Sequence, residues 1–479
     1  MSSLSPRMPP VITIVAPKAI QIGKNQLFSI STACLGQPED MDRIRATLIS
    51  PDAKMQDLRL THMSRGEYQT MCSPPKTGAW VIAINVTSRD RLSSQQSFAF
   101  NVQLLPPTSG AATASPQPQQ LVQQPVHQQQ QIPSNLPALN NWDPHLWVNR
   151  EVHDYIVEKE LQTGGTGFVL AAKSKFNNRE VAVKIPKLRV GSSDTSKELG
   201  EMLSEASNLQ TVSRQSPYIV QLHGVHGDTA MLEEMISRND TLLYLRSPPM
   251  MIMEFMKGGD AKQLLSDDTL FYSSKWKEIV SQVVVKIAKA LDAIHKEGYV
   301  HLDVKPQNIL FNTKPPSTGG EMLEQLKSGQ LVPKLTDLGS AVKIGKKFEQ
   351  FTPEYAPAQQ ILAWTGIGVA SKDMDVYALG ATMYMMMTNT PLNSTGLINS
   401  INRVFDAKVQ TLKDPNSKGA TEDLHHAIEE MRNEWNKSTP DFEAIDQRYS
   451  PLLRVMTSKH PNDRPNAEMV ASSLSQLLN

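Results

Sequence analysis

The run His301-Leu302-Asp303-Val304-Lys305-Pro306-Gln307-Asn308-Ile309-Leu310 brings a carboxylate, an ammonium and a carboxamide into one short stretch. A second carboxylate follows in Lys334-Leu335-Thr336-Asp337-Leu338-Gly339. Another ammonium ends the earlier run Val181-Ala182-Val183-Lys184, and before that stands Leu161-Gln162-Thr163-Gly164-Gly165-Thr166-Gly167-Phe168-Val169. Singly, each has a plain explanation: a glycine-rich hairpin, a lysine at a strand end, a polar loop after a helix. Together they suit phosphoryl transfer, which needs positioning and charge neutralisation more than covalent help. Lys184, Asp303, Asn308 and Asp337 supply both, given Mg²⁺.

In this order and spacing the runs resemble the motifs of eukaryotic-type Ser/Thr protein kinases, over roughly residues 150–479. The resemblance implies that Asp303 accepts the substrate hydroxyl proton, that Lys305 contacts the γ-phosphate, and that Asn308 and Asp337 hold Mg²⁺. It implies that Lys184 clamps the α- and β-phosphates of ATP. A helix glutamate must orient that lysine. Glu205 fits, with Leu209 one turn on facing the core, and Glu201 is the alternative. Nucleotide contacts are implied for Leu161, Gly164, Gly165, Thr166, Gly167, Val169, Ala182 and Leu310. Met250-Met251-Ile252-Met253-Glu254-Phe255-Met256 resembles the strand and hinge at adenine. Met253 would be the gatekeeper, the backbones of Glu254 and Met256 would bond the base, and Asp260 would reach the ribose.

Three more runs fix the register: Thr352-Pro353-Glu354-Tyr355 at the acceptor loop, Asp375-Val376-Tyr377-Ala378-Leu379-Gly380 opening the central buried helix, and Asn462-Asp463-Arg464-Pro465. Three positions depart from the family pattern. Gln162 replaces the first glycine of the loop. Leu302 stands where many kinases carry arginine, which makes the chain non-RD. Gln359 stands where a glutamate normally pairs with the late arginine, so a hydrogen bond to a neutral amide is expected in place of an ion pair. Between Asn308 and Asp337 the chain is longer than the family requires, and Lys314–Gln330, with its Pro-Pro and Gly-Gly pairs, reads as an insertion on a surface loop.

The rest of the chain must position these groups. Its 479 residues predict two to four folding units. Lys plus Arg and Asp plus Glu are equal at 48 each, which gives no electrostatic reason to expect nucleic acid as a partner. Two cysteines, Cys34 and Cys72, exclude a disulfide-dense secreted scaffold, although the two could still pair. No apolar run is long enough for a membrane span. A cytoplasmic location follows from the ATP-dependent motifs.

Residues 1–105 alternate short apolar runs with turn clusters and predict an all-β, sandwich-like domain. Gly66-Glu67-Tyr68-Gln69-Thr70 and Pro75-Lys76-Thr77-Gly78-Ala79-Trp80 resemble paired strands of filamin-type and other immunoglobulin-like domains, which implies a protein ligand. Residues 106–141, Gln- and Pro-rich and without Asp, Glu, Lys or Arg, predict a disordered linker. Residues 142–479 predict a bilobal α+β kinase domain, with a small β-rich lobe leading into a larger helical one.

The expected function is ATP- and Mg²⁺-dependent phosphorylation of protein serine or threonine. From Asp337 to Phe351 the one hydroxyl is Ser340, so activity is expected not to need activation-loop phosphorylation. The alternative is a pseudokinase or scaffold acting by protein binding, for which Gln162, Leu302 and Gln359 speak.

Overall fold

The computed structural model describes residues 11–15, 26–34, 37–38, 40–50, 54–74, 78–87, 93–102, 135–188, 195–226, 235–442 and 445–478. The chain divides into two compact units, Met1–Gln129 and Gln130–Asn479. Most of the Gln- and Pro-rich stretch lies outside the described residues.

The first unit is β-rich. One antiparallel sheet runs in the order β1 (Val11–Val15), β2 (Gln26–Cys34), β7 (Glu67–Cys72), β6 (Leu60–Ser64), with β3 (Gln37–Pro38) paired to β2. The other runs β5 (Met55–Leu58), β4 (Arg43–Ile49), β8 (Gly78–Thr87), β9 (Ser93–Val102). Alternate residues of both sheets, among them Phe28, Ile30, Leu48, Ile82 and Ile84, form one buried cluster. Cys72 is buried and unbridged, and burial pushes its thiol up to about 11.

The second unit opens with an antiparallel sheet in the order β10 (Glu151–Val152), β11 (Tyr155–Thr163), β12 (Gly167–Ser174), β13 (Glu180–Pro186), β15 (Met250–Glu254), β14 (Leu222–His226). Trp147 anchors its outer face. The ring is fully buried against Phe168 and Tyr244, and its indole N–H donates to the Leu245 carbonyl at 3.1 Å. Helix α1 (Thr195–Val212) lies beside this sheet. Between β14 and β15, where the sequence reads as strand, the chain forms a short helix, α2 (Thr241–Arg246), N-capped by Asp240.

The larger lobe is helical: α3 (Asp268–Phe271), α4 (Trp276–Lys296), α5 (Gly319–Ser328), α6 (Ala358–Thr365), α7 (Lys372–Thr388), α8 (Thr395–Lys413), α9 (Lys418–Lys437), α10 (Ser450–Met456) and α11 (Ala467–Leu477). Ile279, Val283, Ile287, Ala290 and Ile294 repeat at helical spacing along α4 and are fully buried. Nearly every side chain of α7 is buried, as a central helix requires. Short strand pairs hold the loops between: β16 (Tyr299–Val300) with β19 (Val342–Lys343), and β17 (Ile309–Phe311) with β18 (Pro333–Leu335).

The expected surface loop at Lys314–Gln330 is instead largely helix. Thr318 caps the N-terminus of α5, and Gly329, at φ +79°, ends it. Met322, Leu323 and Leu326 are buried in the main core, and α5 packs on α4. Three apolar residues on one face outweigh the Pro and Gly pairs that flank them.

Candidate active site

Strand pairing sets the first half of the site. β12 and β13 pair with Val169 opposite Lys184, and Ala182 faces Met253 across β13 and β15. The turn between β11 and β12 carries Gly164, Gly165 and Thr166, closed by the Gly164 N–H donating to the Gly167 carbonyl at 2.9 Å. Gly167 is required: a Cβ there would lie 2.7 Å from the Ile185 carbonyl oxygen. Gln162 sits at an irregularity of β11, beside the exposed Leu161. Val169 and Leu310 pack, partly buried, against the cluster that holds Ala182, Met253 and Met256, so the expected adenine contacts share one apolar surface. The Glu254 carboxylate holds Lys334 at 2.7 Å, and its backbone N–H donates to Gln221. Asp260 binds Gln263 through both carboxylate oxygens.

Lys184 reaches the α1 glutamate that the sequence favoured. Its Nζ lies 2.9 and 2.7 Å from the Glu205 oxygens and 3.5 Å from Asp337. Burial alone would lower the pKa of this ammonium, but Glu205 and Asp337 outweigh it and the net shift is upward. Lys184 in turn holds the Asp337 carboxyl below its ordinary value, against burial and with help from His301 and Lys305. Thr166, Lys184, Glu205 and Asp337 line a common cavity. Gly339 lets the backbone pass Glu205, and Leu338 is buried in the same core cluster as Ala206 and Leu209.

The catalytic-type loop is held by Asp375, fully buried on α7. Its carboxylate accepts the N–H groups of His301 (2.8 Å) and Leu302 (2.7 Å) and the His295 ring Nε2 (2.8 Å). Asp303 is thereby presented with its neighbours in register. Thr352 Oγ1 donates to its Oδ1 at 2.6 Å, while Lys305 Nζ (2.7 Å) and Asn308 Nδ2 (3.1 Å) meet its Oδ2. Lys305 also donates to Thr352 at 2.9 Å.

Sequence reasoning did not foresee two further ties. Asn208, one turn beyond Glu205, donates to the Ala341 carbonyl at 3.0 Å, and Gln360 donates to the Leu302 carbonyl at 2.8 Å. Only the helical spacing of Asn208 from Glu205 carries any sequence signal.

Residues 155–474 match the family model for the protein kinase domain. The chain belongs to the protein kinase family. It is similar to the serine/threonine-protein kinase ArnS of Sulfolobus acidocaldarius, 38% identical over 279 residues, which cover 58% of this chain and 43% of that protein. It is also similar to human Rho-associated protein kinase 1, 27% identical over 270 residues, or 54% of this chain and 17% of that one. The similarity thus spans less than half the length of these relatives.

One departure from the family pattern is compensated in place. Arg464 donates to Gln359 Oε1 at 3.0 Å, and the same amide donates through Nε2 to Asp373. Asp373 lies 3.5 Å from the guanidinium, so a carboxylate is present but supplied from α7. Burial lowers Arg464 to about 10, opposed by Asp373 and Tyr377. A glutamate at 359 could not donate to Asp373 and would repel it. Gln359→Glu is therefore expected to destabilise the kinase unit by about 1–3 kcal/mol, from a lost hydrogen bond and a like-charge contact. Thermal melting of the full chain reads this out, and a raised Tm would contradict the bridging role.

Proposed function

We propose that the chain is an active kinase that transfers the ATP γ-phosphoryl group to serine or threonine hydroxyls of proteins. The observation that carries this is the Asp303 carboxylate, fixed by Lys305, Asn308 and Thr352 beside a cleft where Lys184 is already paired with Glu205. A base must sit within hydrogen-bond reach of the proton it takes, and those three contacts hold Asp303 in one orientation for it. Lys184 and Lys305 place positive charge where phosphate oxygens would lie. Val169, Ala182 and Leu310 would line adenine. The Met256 N–H, which takes no acceptor among the described residues, would bond the base, and Asp260 would face the ribose.

The donor set fits a hard divalent cation. Asn308 uses its amide nitrogen on Asp303, its amide oxygen has no donor among the described residues, and the Asp337 side chain is open to the cleft. Asn308 and Asp337 would hold Mg²⁺, which when bound neutralises phosphate charge. Against the alternative reading, a scaffold without catalysis, stands the accommodation of the three departures: Gln162 is exposed, the Leu302 side chain packs in an apolar cluster, and Gln359 pairs with Arg464.

We also infer that the activation segment is ordered without phosphate. Leu302 is buried with Val300, Phe348, Ala363, Ala370 and Met374, so apolar packing stands where an arginine would await a phosphate. Phe351 stacks on Phe405 at 5.1 Å, and the Gly345 N–H donates to the Ala370 carbonyl while the Ala370 N–H donates to Lys346. Ser340 is buried, and the Thr352 hydroxyl is engaged by Asp303.

In the N-terminal unit, the buried cluster shared by two sheets supports a sandwich, and the resemblance of its strands to immunoglobulin-like modules is the reason to expect a protein ligand. No helix among the described residues is long and apolar enough to cross a membrane, and the ATP-dependent chemistry supports a cytoplasmic setting.

Four outcomes are expected. Lys184→Met and Asp303→Asn each abolish phosphate transfer from radiolabelled ATP to myelin basic protein, with nucleotide binding retained in Asp303→Asn. Peptide arrays show phosphate on serine or threonine. Near wild-type transfer by Asp303→Asn, or dominant tyrosine phosphorylation, would overturn the assignment. Proteins captured by the full chain are lost when residues 1–129 are removed, and capture that survives the deletion counts against a ligand of the β-rich unit. Phosphatase-treated chain, verified unmodified over 337–359 by mass spectrometry, keeps its rate within about twofold; a loss restored by phosphate on Ser340 or Thr352 refutes phosphate-independent order.

A further inference from the structure

Helix α5 forms one wall of a surface cavity of ≈ 320 Å³ at the back of the helical lobe. Lys286 and Lys289, one turn apart on α4, and Lys327 on α5 line it, together with hydroxyl-bearing Tyr218, Ser328 and Ser475. No aspartate or glutamate is among the described residues of the lining, and none of the three lysines forms an ion pair among the described residues.

Lys286 is only 8% exposed. Its ammonium donates to the Leu326 carbonyl at 2.9 Å and to Gln282 Oε1 at 3.3 Å, and its third N–H has no acceptor among the described residues. Burial, and then the charge of Lys289, lower it to about 8. The contact to Leu326 caps the last turn of α5 and gives Lys286 a structural task. That task explains neither Lys289 nor Lys327, which are exposed and converge on the same space. A buried cation beside a second cation, with no carboxylate in reach, is costly, and a bound anion relieves the cost. The size is that of a small-molecule site (roughly 300 Å³ upward), and the lysine ammonium groups supply the charge-assisted donors that phosphate oxygens accept.

We propose that this cavity binds a small phosphate ester, with Lys286, Lys289 and Lys327 as its charge partners. The site is separate from the cleft of Asp303 and stands whether or not the chain transfers phosphate.

The test compares full-length wild type with the Lys289→Ala/Lys327→Ala double variant, whose altered side chains are exposed and outside the catalytic cleft. Calorimetric titration with tripolyphosphate is expected to lose at least about tenfold in affinity in the variant, at unchanged melting temperature. A second arm measures sedimentation with phosphatidylcholine vesicles containing phosphatidylinositol 4-phosphate. Loss in the tripolyphosphate arm assigns a soluble phosphate-bearing ligand; loss in the vesicle arm alone assigns a lipid headgroup. Equal binding by both proteins in both arms overturns the proposal.

Discussion

The geometry of the cleft depends on one buried carboxylate. Asp375 has no solvent to share its charge, so it is tolerated only because donors surround it. They come from the His295 ring and from the consecutive N–H groups of His301 and Leu302. Drawing two adjacent N–H groups to one side chain holds Leu302 at φ +68°, a left-handed conformation that costs about 1–2 kcal/mol for such a residue. The same helix grips the loop again through Thr382, whose hydroxyl donates to the Val304 carbonyl at 3.1 Å. Asp303 lies between these two anchors. The backbone that carries Asp303 is therefore placed by α7, and Lys305, Asn308 and Thr352 then orient its carboxylate.

The other face of the cleft follows from a different constraint. Lys184 is brought in by strand register and Glu205 by helix position, and each would be costly to bury alone. Asn208 adds a neutral tie from the same helix to the backbone after Asp337, so α1 and the segment beginning at Asp337 share one position. The ion pair thereby reports whether the small lobe and the activation segment are in register.

What was legible in the sequence follows from range. Asp303, Lys305 and Asn308 are close along the chain, so their mutual geometry is nearly local and survives in the residue pattern. Glu205 was legible because helical periodicity fixes which side of α1 faces the strand. Lys314–Gln330 was misread although its signals were present: a Thr318 cap, apolar residues at Met322, Leu323 and Leu326, and a terminal Gly329. Pro and Gly pairs dominate a local reading, whereas the face those residues bury exists only once α4 is beside them. Gln359 was read correctly as a hydrogen-bond partner of Arg464. The contribution of Asp373 was invisible, because tertiary packing alone brings α7 to that amide.

Leu302 and Gln359 share a physical logic. At both positions a charged family residue is absent, and the environment compensates without restoring charge at that position. At Gln359 the carboxylate moves to a neighbouring helix. At Leu302 the compensation is apolar: Phe348 and Met374 occupy the surroundings of the side chain, and the nearby lysines Lys343, Lys346 and Lys347 remain exposed to water. Electrostatic tethers are screened by salt and can be switched by adding or removing a phosphate. Apolar burial answers to neither, since it depends on area removed from water. The contacts of Leu302 with Phe348, Ala363 and Met374 are of that apolar kind.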